Sequence, residues 1–98
     1  MIMHLDGAKL KDTAAVLAAF NSAFGFKAKN RDALVDLLTF LDVADKTQRA
    51  SVLPGELVLV EITGECPQFG EIAEMAAFVN YRRMEQGDAP VLALAAQP

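Results

Sequence analysis

One short segment constrains the fold of this chain more than any other. Residues 57–62 read Leu-Val-Leu-Val-Glu-Ile, so both faces of a strand formed here would be largely apolar. Strands with two apolar faces are typical of parallel sheets, in which helices cover the strands. Because parallel neighbours need a long crossover between them, the segment also predicts helices before and after it.

Apolar runs and helical periodicity supply the remaining elements of an α/β domain. Residues 2–5 and 91–95 predict two further strands. Apolar side chains at helical spacing predict three helices, over residues 13–24, 31–41 and 71–86. The order β-α-α-β-α-β predicts a single α/β domain over residues 1–98, with a small three-stranded parallel sheet packed with helices.

Local signals mark where the first two helices begin and end. Asp12, or the threonine after it, can cap the first helix, and Gly25 can end it in a left-handed conformation. Asn30 is a good cap for the second helix. Residues 42–56 show no period, and we interpret them as a long connection with one helical turn at residues 44–50.

Composition excludes several classes of partner and compartment. A net charge of −4 makes direct binding of nucleic acid a poor expectation, because the acidic surface repels phosphates. The only cysteine, Cys66, allows no internal disulfide and suits the reducing cytoplasm. No leader is expected, since Asp6 comes too early for a signal-peptide core, and the longest uncharged run, residues 13–26, is too short to cross a membrane.

Motifs of catalysis and cofactor binding are absent from the sequence. The glycines form no dinucleotide fingerprint or phosphate loop, and no ligand set for zinc is present, so we expect no cofactor, metal or small-molecule substrate. Asp6 and Glu61 each end a strand, where ligands of open parallel sheets bind. A small enzyme that uses this acid pair is therefore an open alternative, whereas the simpler interpretation is that both residues solvate turns.

The second helix carries a more specific pattern. Asp32 and Asp36 are one turn apart and share the face opposite the leucine stripe, so we expect them and the intervening Val35 to be exposed. Two carboxylates around an exposed apolar side chain could bind a cationic patch on another protein. The alternative is a solvated face, in which the helix dipole and Arg31 offset the repulsion between the two acids.

The same helix carries a family resemblance. Residues 30–39, Asn-Arg-Asp-Ala-Leu-Val-Asp-Leu-Leu-Thr, resemble the N-x-D-A-L-x-D-x-L-T segment of the barstar family, intracellular inhibitors of barnase-type ribonucleases. The layout of the other elements is similar, although only this run is specific. The resemblance implies a barstar-like fold and a bacterial, cytoplasmic, immunity- or antitoxin-like protein that is not an enzyme. Such a protein binds a ribonuclease stoichiometrically and blocks its RNA-cleaving site.

The resemblance also implies which residues bind the partner. Asp36 matches the central acidic anchor of the family and Asp32 its neighbour one turn earlier. In the family these acids take the place of RNA phosphates and meet arginines and lysines of the enzyme. Phe26 and Thr39 also fall at interface positions of the family. With three neighbours that depart from the family pattern, the full set of expected partner-binding residues is Phe26, Lys29, Arg31, Asp32, Val35, Asp36 and Thr39.

Three departures from the family pattern bear on the partner. Val35 stands where the family has a large aromatic residue, and Arg82 stands where it has a further interface glutamate. Lys27, Lys29 and Arg31 make the approach to the second helix basic. A partner of mixed charge would suit these changes. A general interaction or regulatory module on the same fold, with a partner that is not a ribonuclease, is therefore the alternative function.

Overall fold

A computed structural model describes residues 1–43 and 52–97 of the chain. The elements in chain order are β1 (Ile2–Asp6), a 3₁₀ turn (Gly7–Lys9), α1 (Thr13–Phe24), α2 (Arg31–Thr39), β2 (Val58–Thr63), α3 (Phe69–Glu85) and β3 (Leu92–Gln97). The predicted α/β class and element order are confirmed, and most bounds shift by a residue or two. The helical turn expected at residues 44–50 lies outside the described residues. Within the described ranges, no helix is long and apolar enough to cross a membrane.

The three strands form one parallel sheet in the order β1-β2-β3, so the strand predicted first from the sequence is the central one. Leu5 of β1 lies beside Ile62 of β2, which in turn lies beside Ala96 of β3. The helices α1 and α2 lie in the crossover from β1 to β2, and α3 lies in the crossover from β2 to β3. Parallel neighbours of this kind require such crossovers.

The core lies on one face of the sheet. The side chains that β1 and β2 turn toward the helices are buried and belong to the core cluster: Met3, Leu5, Val58, Val60 and Ile62. On the other face, Ile2 and His4 are exposed, and Leu59 and Glu61 are only partly buried. The sequence predicted a strand buried on both sides, whereas the second face of β2 is only partly buried, because the alternation of exposed and buried residues places the core on one side.

Short polar side chains fix the helix starts as the sequence predicted. The Asp12 carboxylate accepts a hydrogen bond from the Ala15 N–H at 2.8 Å, and the Asn30 amide oxygen accepts one from the Ala33 N–H at 2.8 Å. Each bond satisfies an N–H group that the first helical turn leaves without a partner. Gly25 ends α1 with φ +69°, a left-handed conformation that glycine adopts without a side-chain clash.

A buried arginine joins the ends of two helices to the chain that follows each of them. Arg83 of α3 is only 2% exposed. Its guanidinium donates to both carboxylate oxygens of Asp42, at 3.0 and 2.9 Å, and to the Thr39 carbonyl at 2.7 Å. Its Nε donates to the Ala89 carbonyl at 2.7 Å. Arg83 therefore satisfies a carbonyl at the C-terminal end of α2, where helices leave carbonyls unpaired.

The connection into β3 has its own polar anchor. The Asn80 amide oxygen accepts from the N–H groups of Val91 and Leu92, at 3.0 and 3.1 Å. The amide nitrogen donates to the Leu92 carbonyl at 2.8 Å. These bonds satisfy backbone groups where the chain enters the edge strand, and they hold α3 against β3.

The two neighbouring arginines of α3 provide a matched test of burial. Asp42→Ala leaves the Arg83 guanidinium buried without its carboxylate, so we expect a loss of about 3–5 kcal/mol in the free energy of unfolding. Asp36→Ala removes the exposed partner of Arg82, so we expect a loss of at most about 1 kcal/mol. Urea unfolding followed by circular dichroism measures both. Equal losses in the two variants would contradict this account.

The same ion pair predicts how stability depends on pH. Hydrogen bonds from Arg83 lower the pKa of Asp42 below its usual value. As the pH falls, the Asp42 carboxylate of the unfolded chain therefore binds a proton before that of the folded protein does. The contribution of the ion pair to the free energy of unfolding is complete above the unfolded pKa of about 3.9, and it is lost as the pH falls through the lower folded pKa. We expect the free energy of unfolding of Asp42→Asn to change less than that of the wild type between about pH 5 and pH 2. Urea unfolding at each pH measures the free energy of unfolding of both proteins. The same dependence on pH in the wild type and in Asp42→Asn would contradict this prediction.

Candidate protein-binding face

The second helix contacts α1 and α3, and four of its nine residues are buried. Leu34 and Leu38 are fully buried in the core, as the leucine stripe predicts. Val35 and Thr39 are buried as well, on the side where α2 packs against α3. The buried arc of α2 is therefore wider than the stripe of leucines alone, and the residues of α2 that are exposed form a strip that holds Asp32 and Asp36.

Val35 lies in a different environment from the one expected from spacing. It is 4% exposed, so the expectation of an exposed apolar residue between two acids is wrong. The reason is that α3 covers this side of α2, and helix spacing within α2 carries no information about a neighbour far along the chain. Val35 lies at the bottom of a depression between α2 and α3 and offers little surface to a partner.

Two further residues expected at the interface are also buried. The Thr39 hydroxyl donates to the Val35 carbonyl at 2.7 Å inside the helix. Phe26 is buried, and its ring stacks on that of Phe24 with centroids 5.4 Å apart. Phe26 and Thr39 were expected to contact a partner, and the structure places both side chains in the interior, so their contact with a partner stays a prediction.

The loop before α2 is fixed by a side chain of α1. The Asn21 amide nitrogen donates to the Ala28 carbonyl at 2.9 Å, and its amide oxygen accepts from the Ala28 N–H at 3.1 Å. A side-chain amide can satisfy a backbone N–H and carbonyl in this way because it carries both a donor and an acceptor. The clamp sets the path of the chain into α2, and Lys27 and Lys29 on either side of Ala28 stay exposed.

The exposed strip of α2 carries the two predicted acids. Asp32 and Asp36 are both exposed, as the sequence predicted. A carboxylate oxygen of Asp36 accepts from Arg82 of α3 at 2.6 Å. Among the described residues, Asp32 has no ion-pair partner within 4.0 Å. The two acids therefore differ, since Asp36 is already held by a guanidinium and Asp32 faces water.

A depression separates the exposed strip of α2 from α3. Its volume is about 350 Å³, and it is lined by Arg31, Asp32, Val35, Glu74 and Phe78. A guanidinium nitrogen of Arg31 lies 3.6 Å from a carboxylate oxygen of Glu74, so the two helices carry a second, looser ion pair at the rim. The depression combines an aromatic wall, an apolar floor and charges of both signs.

Asp6 and Glu61, the two acids that the alternative of a small enzyme would use, each have a partner nearby. The Asp6 carboxylate accepts from the Ala8 N–H at 3.2 Å, which caps the 3₁₀ turn. Glu61 lies beside His4 on the open face of the sheet, with 3.2 Å between carboxylate oxygen and Nδ1. In residues 1–43 and 52–97, no three histidine, cysteine, aspartate or glutamate residues come together as metal ligands.

Sequence reasoning missed the contacts that α3 makes with α2. Arg82 meets Asp36 across 46 positions of sequence, and Arg83 meets Asp42 across 41. The one available signal was a pair of adjacent arginines near the C-terminal end of an amphipathic helix. That position favours cations because of the helix dipole, but it does not reveal which arginine is buried.

No protein-family model, curated protein or solved structure matches the chain.

The burial of Val35 leads to a direct test. Val35→Ala removes two buried methyl groups beside α3, so we expect a loss of about 1–3 kcal/mol in the free energy of unfolding. An exposed valine would give a change within about 0.5 kcal/mol. Urea unfolding measures the difference, with Asp32→Ala as the control on the exposed side of the same helix. A neutral Val35→Ala would contradict the packing of α2 on α3.

Proposed function

We propose that this chain is a cytoplasmic protein inhibitor of a barnase-type ribonuclease, which it binds stoichiometrically through the acidic strip of α2. The observation that carries the proposal is the pair of exposed carboxylates, Asp32 and Asp36, on a helix whose other side chains are buried or partly buried. The resemblance of residues 30–39 to the barstar family supports the same reading.

The mechanism is a replacement of substrate phosphates by carboxylates. An RNA-cleaving site holds cationic side chains at the positions that phosphates occupy, and two carboxylates one helical turn apart lie roughly 5–6 Å from each other at their Cβ atoms. Arginine pairs well with a carboxylate through two parallel hydrogen bonds. The net charge of −4 also speeds the encounter with a basic enzyme.

The rigid setting of α2 supports this role. Core packing of Leu34 and Leu38 and the Asn21 clamp on the preceding loop fix the helix before any partner arrives. A preformed acidic strip loses little conformational entropy on binding, so more of the interaction energy is available as affinity. Of the expected contact residues, Lys29, Arg31, Asp32 and Asp36 are the ones whose positions allow contact with a partner.

One observation favours a second candidate function. Arg82 already holds Asp36 at 2.6 Å, so a ribonuclease arginine must share this carboxylate or displace Arg82. Arg31 and Glu74 add another pair of opposite charges at the rim of the depression. A face of alternating charge fits an interaction or regulatory module whose partner is itself of mixed charge and is not a ribonuclease.

The proposed function is tested by titrating the purified protein into a fluorogenic RNA-cleavage assay with barnase-type ribonucleases. We expect inhibition that is complete at one equivalent, and weaker inhibition by Asp32→Asn and Asp36→Asn. Loss of an acidic hot spot weakens a complex by about 2 kcal/mol or more. Glu65→Gln, an exposed acid in the loop before α3, serves as the matched control. Failure of the wild type to inhibit any of these enzymes would contradict the proposal.

Substitution of Arg82 separates the two candidate functions. If Asp36 mimics a phosphate, Arg82→Gln removes a competing cation, and we expect tighter inhibition of the ribonuclease. If the partner has mixed charge, Arg82 contributes a contact of its own, and the same variant binds more weakly.

Binding to a basic enzyme also weakens as salt rises from low to moderate concentration. A complex that is insensitive to salt would favour the second candidate.

A further inference from the structure

The outer face of α3 carries large apolar side chains that the core does not use. Phe78, Tyr81 and Met84 are 51%, 60% and 62% exposed. Their spacing of three residues places them along one side of the helix, together with the exposed Ala77. We name these four residues the α3 ridge. The opposite side of α3 holds the buried residues Ile72, Met75, Ala76, Val79 and Arg83.

The α3 ridge is a contiguous feature. Single exposed apolar residues are common on protein surfaces and need no explanation. Here two aromatic rings and a methionine follow one another over about 9 Å of helix. Contiguous apolar patches of this kind mark interaction sites, and tyrosine, phenylalanine and methionine are enriched where proteins meet.

The α3 ridge joins the acidic strip of α2. Phe78 forms one wall of the depression that Asp32 also lines. The Arg82 guanidinium, which holds Asp36, lies over the Phe78 ring with its central carbon 5.9 Å from the ring centroid. The acids of α2 and the aromatic residues of α3 therefore form one continuous surface.

We propose that Phe78 and Tyr81 are the aromatic anchors of the partner interface, and that the occupant of the α3 ridge is a basic protein surface bearing apolar side chains. The inference rests on the proposed function for the site, and it assigns the apolar contact to α3 because Val35 of α2 is buried. The exposed acids Glu74 and Glu85 flank the ridge along the helix. Around the anchors the acids Asp32, Asp36, Glu74 and Glu85 outnumber the cations Arg31 and Arg82, which pair with Glu74 and Asp36. This excess of negative charge fits a partner that carries lysine and arginine around its own apolar side chains.

Charge argues against a second copy of this chain as the occupant. An antiparallel pair of α3 helices that sets Phe78 against Tyr81 of the second copy also sets Glu74 against Glu85 of that copy. A parallel pair sets each glutamate against its equivalent. Both symmetric arrangements place like charges opposite each other, which costs free energy in a desolvated interface.

The test uses a synthetic probe of the stated chemistry. The probe is a fluorescently labelled helical peptide of about 18 residues, five turns, with leucines on one face and lysines on the other. A second peptide replaces every lysine by glutamate. Anisotropy measures binding to the whole protein, and ¹H–¹⁵N NMR spectra show which backbone amides shift.

Phe78→Gln combined with Tyr81→Gln removes the anchors and keeps good helix formers at both positions. The control is Ile2→Thr, because Ile2 is 56% exposed on the open face of the sheet, opposite the helices. We expect the lysine peptide to shift amides of α3, the double variant to weaken its binding about tenfold or more, and the control to leave binding unchanged.

Several results would overturn the proposal. One is that the lysine peptide does not bind at millimolar concentration, and another is that the glutamate peptide binds equally well. The proposal also fails if the double variant binds the lysine peptide as tightly as the wild type does, or if the shifted amides lie outside α3. Sedimentation of the wild type as a dimer that the double variant abolishes would also overturn it, because the occupant would then be a second copy.

The ribonuclease assay distinguishes failure of this inference from failure of the proposed function. If the double variant inhibits as well as the wild type while Asp32→Asn does not, the acids of α2 act without the α3 ridge. If no ribonuclease is inhibited but the lysine peptide binds at the ridge, the ridge is a docking surface and the proposed target is wrong.

Discussion

The hydrogen bonds of one buried guanidinium determine where the second helix ends and how the third lies against it. Arg83 is almost fully buried and holds Asp42, the Thr39 carbonyl and the Ala89 carbonyl at once. Each group alone would be costly to remove from water, whereas together they satisfy one another. This cluster joins the end of α2, the end of α3 and the chain that leads to β3, so it fixes the angle at which the two helices meet.

That packing decides which residues of α2 a partner can contact. Because α3 lies against α2, Val35 and Thr39 are buried. In the loop before α2, the Asn21 side chain holds the backbone of Ala28, and Phe26 of the same loop is buried. The acids Asp32 and Asp36 stay at the edge of the contact between the helices. The adjacent arginines of α3 illustrate the same geometry. Each residue of a helix is rotated by about 100° from the one before it, so Arg83 lies in the core and Arg82 lies at the surface beside Asp36.

The parts of the fold that depend on neighbours in sequence could be predicted. Asp12, Asn30 and Gly25 mark helix ends through bonds and conformations within a few residues. Apolar runs identified the three strands, and apolar periodicity identified the three α-helices of the described chain. The contacts between α2 and α3 could not be predicted, because Arg83 and Asp42 meet only after both helices have packed on the sheet. The exposure of Val35 was judged from α2 alone, and the error follows from the missing neighbour.

The position of the apolar contact follows from the same constraint. The short helix α2 buries two rows of side chains, Leu34 with Leu38 and Val35 with Thr39, and its exposed residues are the acids Asp32 and Asp36. Charged side chains steer an encounter and select a partner, and the residues that contribute most to affinity in protein complexes often include buried aromatic side chains as well. The long helix α3 buries one face and leaves Phe78 and Tyr81 exposed beside the acids. A partner that engages Asp32 therefore lies close enough to cover Phe78 as well, since both line the same depression.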